Sequence, residues 1–117
     1  MNQIKIGNRI ISSNHPPFVI AEAGINHNGS LTLAKKLVDM SKKAGADCFK
    51  IQTHITEEEM IKTNILPGKI SKKTLWSIIK NSELTEKEEL TIKEYCKNYF
   101  NIYMILRFSY NSNLFNA

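Results

Sequence analysis

Asp47 to Thr53, reading DCFKIQT, constrains the fold more than any other stretch. Side chains alternate between the two faces of a strand. Phe49 and Ile51 then share one face, and Cys48, Lys50 and Gln52 share the other. An open sheet with helices on both sides would bury the lysine and the glutamine in apolar surroundings, which is costly. A closed barrel has one face turned inward, and its polar groups gather at the C-terminal ends of the strands. The alternation therefore favours a barrel of parallel strands.

A second stretch fits the same plan. Phe18 to Ser30 reads FVIAEAGINHNGS. A short apolar run, Phe18 to Glu22, is predicted as a strand that ends in a carboxylate. Ile20 and Glu22 share one face of it, Val19 and Ala21 the other. A loop rich in Gly, Asn and His follows. Ser30 is the expected N-cap of a helix over Leu31–Ala44, with Ala34, Leu37, Val38 and Ser41 as its inner stripe. Gly45 is the expected terminator. Strand, helix and strand make one βαβ unit.

Upstream, Ile4-Lys5-Ile6 and Arg9-Ile10-Ile11 flank Gly7-Asn8, which predicts a hairpin that caps apolar surface. Pro16 and Pro17 force an extended approach to the next strand. Downstream, His54 to Lys69 is a long loop, against about 2–6 residues for a usual βα connection, and that length marks a functional insertion. Ser71 is expected to cap a short helix carrying Leu75, Trp76 and Ile79. Thr85 to Glu88 fits a capping box. The helix behind it is expected to bury Ile92, Tyr95, Cys96 and Tyr99, and Asn101–Leu106 reads as a third strand. Met40, Tyr95 and Trp76 are expected in the core. The whole is an α/β chain: about three βα units preceded by a hairpin.

Composition narrows the class. The chain has 117 residues, 42% hydrophobic and 23% charged, which suits a globular domain rather than a disordered segment. Its net charge is +5. On charge alone a phosphate- or nucleic-acid-binding domain would be a reading, but the lysines are dispersed and alternate with glutamates, as on solvated helix faces. No nucleic-acid partner is expected. Cys48 and Cys96 have no partner at metal or redox spacing and read as reduced thiols. No segment approaches the about 20 apolar residues of a membrane span, and no signal peptide is evident. A cytoplasmic protein is expected.

Three residues are candidates for chemistry. Glu22 is either a structural acid bonded to loop amides, or a carboxylate that contacts a substrate hydroxyl or moves a proton. Lys50 is a core lysine paired with Glu22, a cation for phosphate or carboxylate, or a Schiff-base lysine. Gln52 orients a polar substrate or bridges two strands. His27 and His54 read as local hydrogen-bonding residues, since no second ligand lies at metal spacing. The glycines form no nucleotide-binding fingerprint.

IAEAGINHNGSLTLAKKLVDMSKKAGADCFKIQT closely resembles the opening of the sialic acid synthase family. The shared pattern is a strand ending AE.G.NHNG, a helix beginning.L.LAK.L, and then AGAD..K.QT. The later PGKIS, LW, IIK, ELT and KEYC stretches are similar to bacterial members. The resemblance covers roughly residues 4 to 100. It implies a TIM barrel followed by a small antifreeze-like domain, as a homodimer. It implies condensation of phosphoenolpyruvate with an N-acetylmannosamine-like sugar in carbohydrate biosynthesis, a transferase reaction. A divalent metal, manganese or magnesium, would polarise the sugar aldehyde. By resemblance Glu22 is the catalytic carboxylate near the sugar, and Lys50 and Gln52 bind substrate.

Two departures follow. The family's third strand ends in an STPF-type turn whose Thr holds phosphate, and the aligned residues here are Ile105-Leu106-Arg107-Phe108. Arg107 could attract phosphate by charge without reproducing that turn. A full barrel takes about 250 residues. Residues 1–117 are therefore expected to be a truncated piece of the barrel, with the metal histidines and the antifreeze-like domain absent, and inactive alone. The alternative is a non-catalytic fragment, or an assembly module that docks to a full-length partner.

Overall fold

The computed structural model describes residues 2–100 and 102–107, the side chain of Arg107 excepted. The start of the expected third strand at Asn101, the side chain of Arg107, Phe108 and the segment after it lie outside the described residues. The elements run β1 (Ile4–Ile6), β2 (Arg9–Ile11), β3 (Ile20–Gly24), α1 (Leu31–Lys43), β4 (Cys48–Thr53), α2 (Thr56–Glu59), α3 (Leu75–Lys80), α4 (Glu86–Lys97) and β5 (Tyr103–Arg107).

The expected hairpin forms. β1 and β2 pair antiparallel, with Ile4 opposite Ile11 and Ile6 opposite Arg9. Gly7 takes φ +56°, the left-handed value a two-residue turn with glycine first requires. The hairpin sits where the main strands begin. Arg9 pairs with Asp47, just before β4, and its guanidinium lies 5.9 Å from the centre of the Phe18 ring. A Cβ on Gly7 would lie 3.1 Å from Ile102, just before β5. Asp47 also accepts the Val19 N–H at 2.9 Å. That hydrogen bond, with Arg9 alongside, holds the Asp47 carboxyl below its usual range.

β3, β4 and β5 form one parallel sheet in that order. Glu22 lies opposite Lys50, and Gln52 opposite Leu106. The chain is thus α/β, and the described residues hold two strand–helix units and a third strand. The first strand begins at Ile20 and runs on to Gly24, past the expected end at Glu22. A register shift between Glu22 and Gly24 admits this extension, with Gly24 at φ +54°.

The helices form for identifiable local reasons. Ser30 Oγ accepts the Leu33 N–H at 3.2 Å, and Lys42 and Lys43 complement the dipole at the far end of α1. Gly45 follows at φ +84°. Thr85 and Glu88 make the full capping box of α4, with Thr85 N–H donating to the Glu88 carboxylate at 2.8 Å. α3 is capped by Thr74, not by Ser71: Thr74 Oγ1 accepts the Ser77 N–H, whereas Ser71 serves only the amide of Lys73. The long connection after β4 is interrupted by α2, a single turn.

The core lies on one face of the sheet. Ala23, Phe49 and Ile51 meet Ala34 and Val38 of α1 and Ile92 and Cys96 of α4, with Phe100 closing the end. Phe49 stacks on Tyr103 at 6.3 Å. Tyr95 donates to Asp39 at 2.8 Å and so joins α4 to α1. Met40 is not a core residue. It is 65% exposed, because it lies on the side of α1 turned away from the sheet. Trp76 and Tyr95 are only half-buried, and Tyr99 is exposed. Glu89 instead occupies an inner position of α4, where it accepts the Thr53 hydroxyl at 2.9 Å. Cys48 and Cys96 are free and buried, and burial pushes the Cys96 thiol up to about 12. Among the described residues no helix is long and apolar enough to cross a membrane.

Candidate active site

The sheet's second face carries the three candidates. Phe49 and Ile51 point to the helices, so Lys50 and Gln52 point away from them, as the alternation in DCFKIQT requires. Cys48 shares that face but is buried at the N-terminal end of β4, beside the hairpin's anchor at Asp47. Ile20 and Leu106 on the same face stay 41% and 39% exposed, so the face is open.

Register places Glu22 beside Lys50, and the two form an ion pair of 2.8 Å. The other carboxylate oxygen accepts the Gly24 N–H at 3.0 Å. Both groups are partly exposed, the lysine side chain at 28% and the glutamate at 42%. Such a pair adds little stability, about 0–1 kcal/mol. A lysine held against one carboxylate at an open face still has hydrogen atoms to offer a second anion.

Gln52 belongs to the same group. A Cβ on Gly24 would lie 3.7 Å from the Gln52 carboxamide carbon and 3.8 Å from Glu22 Oε1. Glycine at that position leaves the two polar ends flanking bare backbone. The structure thus gathers Glu22, Lys50 and Gln52 around one spot at the C-terminal ends of β3 and β4.

Two further residues adjoin this spot. His54 Nδ1 lies 2.6 Å from Glu59 Oε1, and His54 Nε2 lies 3.4 Å from Gln52 Oε1. Continuing the alternation past Gln52 points His54 to the same side, a signal present in the sequence. Glu59 carries no such signal, because α2 is needed to turn it back toward β4.

His27 is the local hydrogen-bonding residue expected of it. Its Nδ1 accepts the Gly29 N–H at 3.1 Å, so the ring proton sits on Nε2, which is buried with no hydrogen-bond partner among the described residues. Burial, and then the neighbouring His54, push its basicity down. Among the described residues no group of three or more His, Cys, Asp or Glu side chains gathers to hold a metal ion.

The chain is similar to several known proteins. An uncharacterized protein of Methanocaldococcus jannaschii is 39% identical over 97 residues, covering 83% of this chain and 26% of that protein. The N,N'-diacetyllegionaminic acid synthase of Legionella pneumophila is 36% identical over 83 residues, covering 66% and 23%. Among solved structures, the N-acetylneuraminic acid (sialic acid) synthetase of Leptospira borgpetersenii, in complex with citrate, is similar with a TM-score of 0.76 and 31% identity. That match covers 98% of this chain and 38% of the other. The chain spans about a quarter of the length of the curated relatives it matches. The NeuB family profile matches residues 37–112, well over half of the sequence. The resemblance to the sialic acid synthases is thereby borne out, and the chain belongs to the NeuB family.

Proposed function

We propose that these residues form the first part of a nonulosonic acid synthase barrel, which condenses phosphoenolpyruvate with an N-acetylmannosamine-like sugar. The Glu22–Lys50 pair on the open face, 2.8 Å apart beside Gln52, carries this reading. Lys50 supplies the cation that attracts the phosphate or carboxylate of phosphoenolpyruvate. Glu22 holds Lys50 in place and is the carboxylate nearest the sugar, able to take or return a proton. Gln52 orients the bound substrate. Tyr103–Arg107 forms the third wall.

The described residues do not by themselves fit the manganese or magnesium ion that the family implies. Its ligands belong to the remaining strands of the barrel, and no step here is assigned to it. Those strands, and the partner of a homodimer, complete the proposed enzyme.

The test is an assay of the purified chain with phosphoenolpyruvate, N-acetylmannosamine and manganese. Binding of phosphoenolpyruvate is expected, with no phosphate release above the protein-free rate, because the three parallel strands of the described residues do not close a barrel. Release that disappears in Glu22→Gln would replace the partial-barrel reading with a complete enzyme. Absence of any binding would contradict the synthase reading itself.

A further inference from the structure

We propose that Glu83 is a positioning residue of the substrate floor, which it serves by capping α2 from across the fold. The inference rests on reading the open face of the sheet as that floor.

α2 is a poor helix by itself. It is one turn, Thr56–Glu59, and a first turn fixes several backbone angles for a single hydrogen bond. Its N-cap residue is Ile55, whose side chain accepts no hydrogen bond. The acceptor comes instead from the turn between α3 and α4. One carboxylate oxygen of Glu83 lies 2.6 Å from the Thr56 amide nitrogen and 2.6 Å from the Thr56 hydroxyl. Both Thr56 groups donate, because an ionised carboxylate only accepts. The other oxygen takes the Lys80 ammonium at 2.9 Å, and Lys80 also reaches Glu57 of α2 at 2.7 Å. The turn is thus pinned at two successive residues. Burial alone would raise the Glu83 carboxyl. The Thr56 hydroxyl and amide, and then Lys80, outweigh it and hold the carboxyl below its usual range, so it is ionised at neutral pH. Thr56 is fully buried, and without Glu83 its N–H and hydroxyl would lose their acceptor in a place water does not reach.

α2 carries the effect to the floor. Its last residue, Glu59, lies 2.6 Å from His54 Nδ1, and His54 Nε2 lies 3.4 Å from Gln52 Oε1. These distances set the ring between α2 and Gln52 however its protons and the carboxamide are arranged. The side chains of His54 and Glu59 are 8% and 10% exposed, so both are enclosed while α2 is in place. Glu83 fixes the turn, the turn fixes Glu59 against His54, and His54 stands beside Gln52.

The cap is tested by 15N NMR and amide exchange on the whole chain without substrate. In Glu83→Ala the Thr56 amide is expected to exchange about tenfold faster or more, as loss of a hydrogen bond to a charged group implies. The Met60 amide, which donates to Thr56 across α2, should follow it. The His54 ring and Gln52 side-chain signals are expected to move, while α1 amides keep their protection. Unchanged Thr56 and Met60 exchange in a folded variant overturns the proposal. So do unmoved His54 and Gln52 signals, or an equal acceleration in α1. If Glu83→Ala does not fold, Glu83→Gln is read by the same criteria, since it keeps an acceptor oxygen for Thr56 but not the charge. Affinity for phosphoenolpyruvate is expected to fall severalfold in the variant, and an unchanged affinity overturns the role at the floor. A wild-type chain that does not bind phosphoenolpyruvate contradicts the synthase reading instead, and the substrate-free spectra then decide the cap.

Discussion

Phe49→Ala is expected to destabilise the chain by about 3–5 kcal/mol, the usual cost of emptying an aromatic site in a core. Phe49 is fully buried and stacks on Tyr103. It also belongs to the buried cluster that joins the sheet to α1 and α4, within a core that lies on one face of the sheet. A domain of ordinary stability has about 5–15 kcal/mol in total, so the variant should be close to unfolded. Urea unfolding followed by circular dichroism reads the loss. The consequence reaches the site, because Lys50 is the next residue on the opposite face. When β4 loses its seat on the helices, the Glu22–Lys50 register is lost with it. A change below about 1 kcal/mol would mean that the helix face is not what holds the floor in place.

Gly29→Ala is the second large effect, expected at about 2–4 kcal/mol, and its cause is steric. Gly29 has φ +74°, and a Cβ there would lie 2.5 Å from the backbone oxygen of Asn81. Backbone between α3 and α4 cannot yield as a flexible side chain can. The left-handed conformation adds about 1–2 kcal/mol of its own for a residue with a Cβ. Gly45→Ala separates the two contributions. Gly45 has φ +84° with nothing within 4 Å of the added carbon, so only the conformational cost of about 1–2 kcal/mol should appear. Equal destabilisation by the two substitutions would show that the loop does not rest on the α3–α4 turn.

Much of this arrangement is legible in the sequence wherever one local rule decides. The hairpin follows from Gly7-Asn8 between two isoleucine-rich runs. Both long helices begin at the hydroxyls the capping patterns indicate, and α1 ends at its glycine. The alternation in DCFKIQT by itself separates Phe49 and Ile51 from Lys50 and Gln52. Only the family resemblance proposes a substrate for Glu22, which no spacing rule could. What stayed hidden depends on tertiary contacts. The register shift at Gly24 lengthens β3 by letting the backbone take a left-handed turn, and no strand pattern marks it. Thr74 displaces Ser71 as the cap because the connection before α3 is irregular, so the nearest hydroxyl to an apolar run was not the first. Met40 looked like core on hydrophobicity alone, although its position on α1 turns it outward. Nothing in the sequence marks Glu89 as an inner residue, where it accepts the Thr53 hydroxyl. The Glu59 contact to His54 needs the single turn of α2, too short for periodicity to reveal.

The floor formed by Glu22, Lys50 and Gln52 is most directly tested by titrating phosphoenolpyruvate into the 15N-labelled chain. Saturable shifts are expected at residues 22–24 and 50–54. In Lys50→Met those shifts should vanish while stability changes by no more than about 1 kcal/mol, because the ion pair is partly exposed. Saturable binding that persists unchanged in a folded Lys50→Met protein, or shifts confined to another surface, would contradict it.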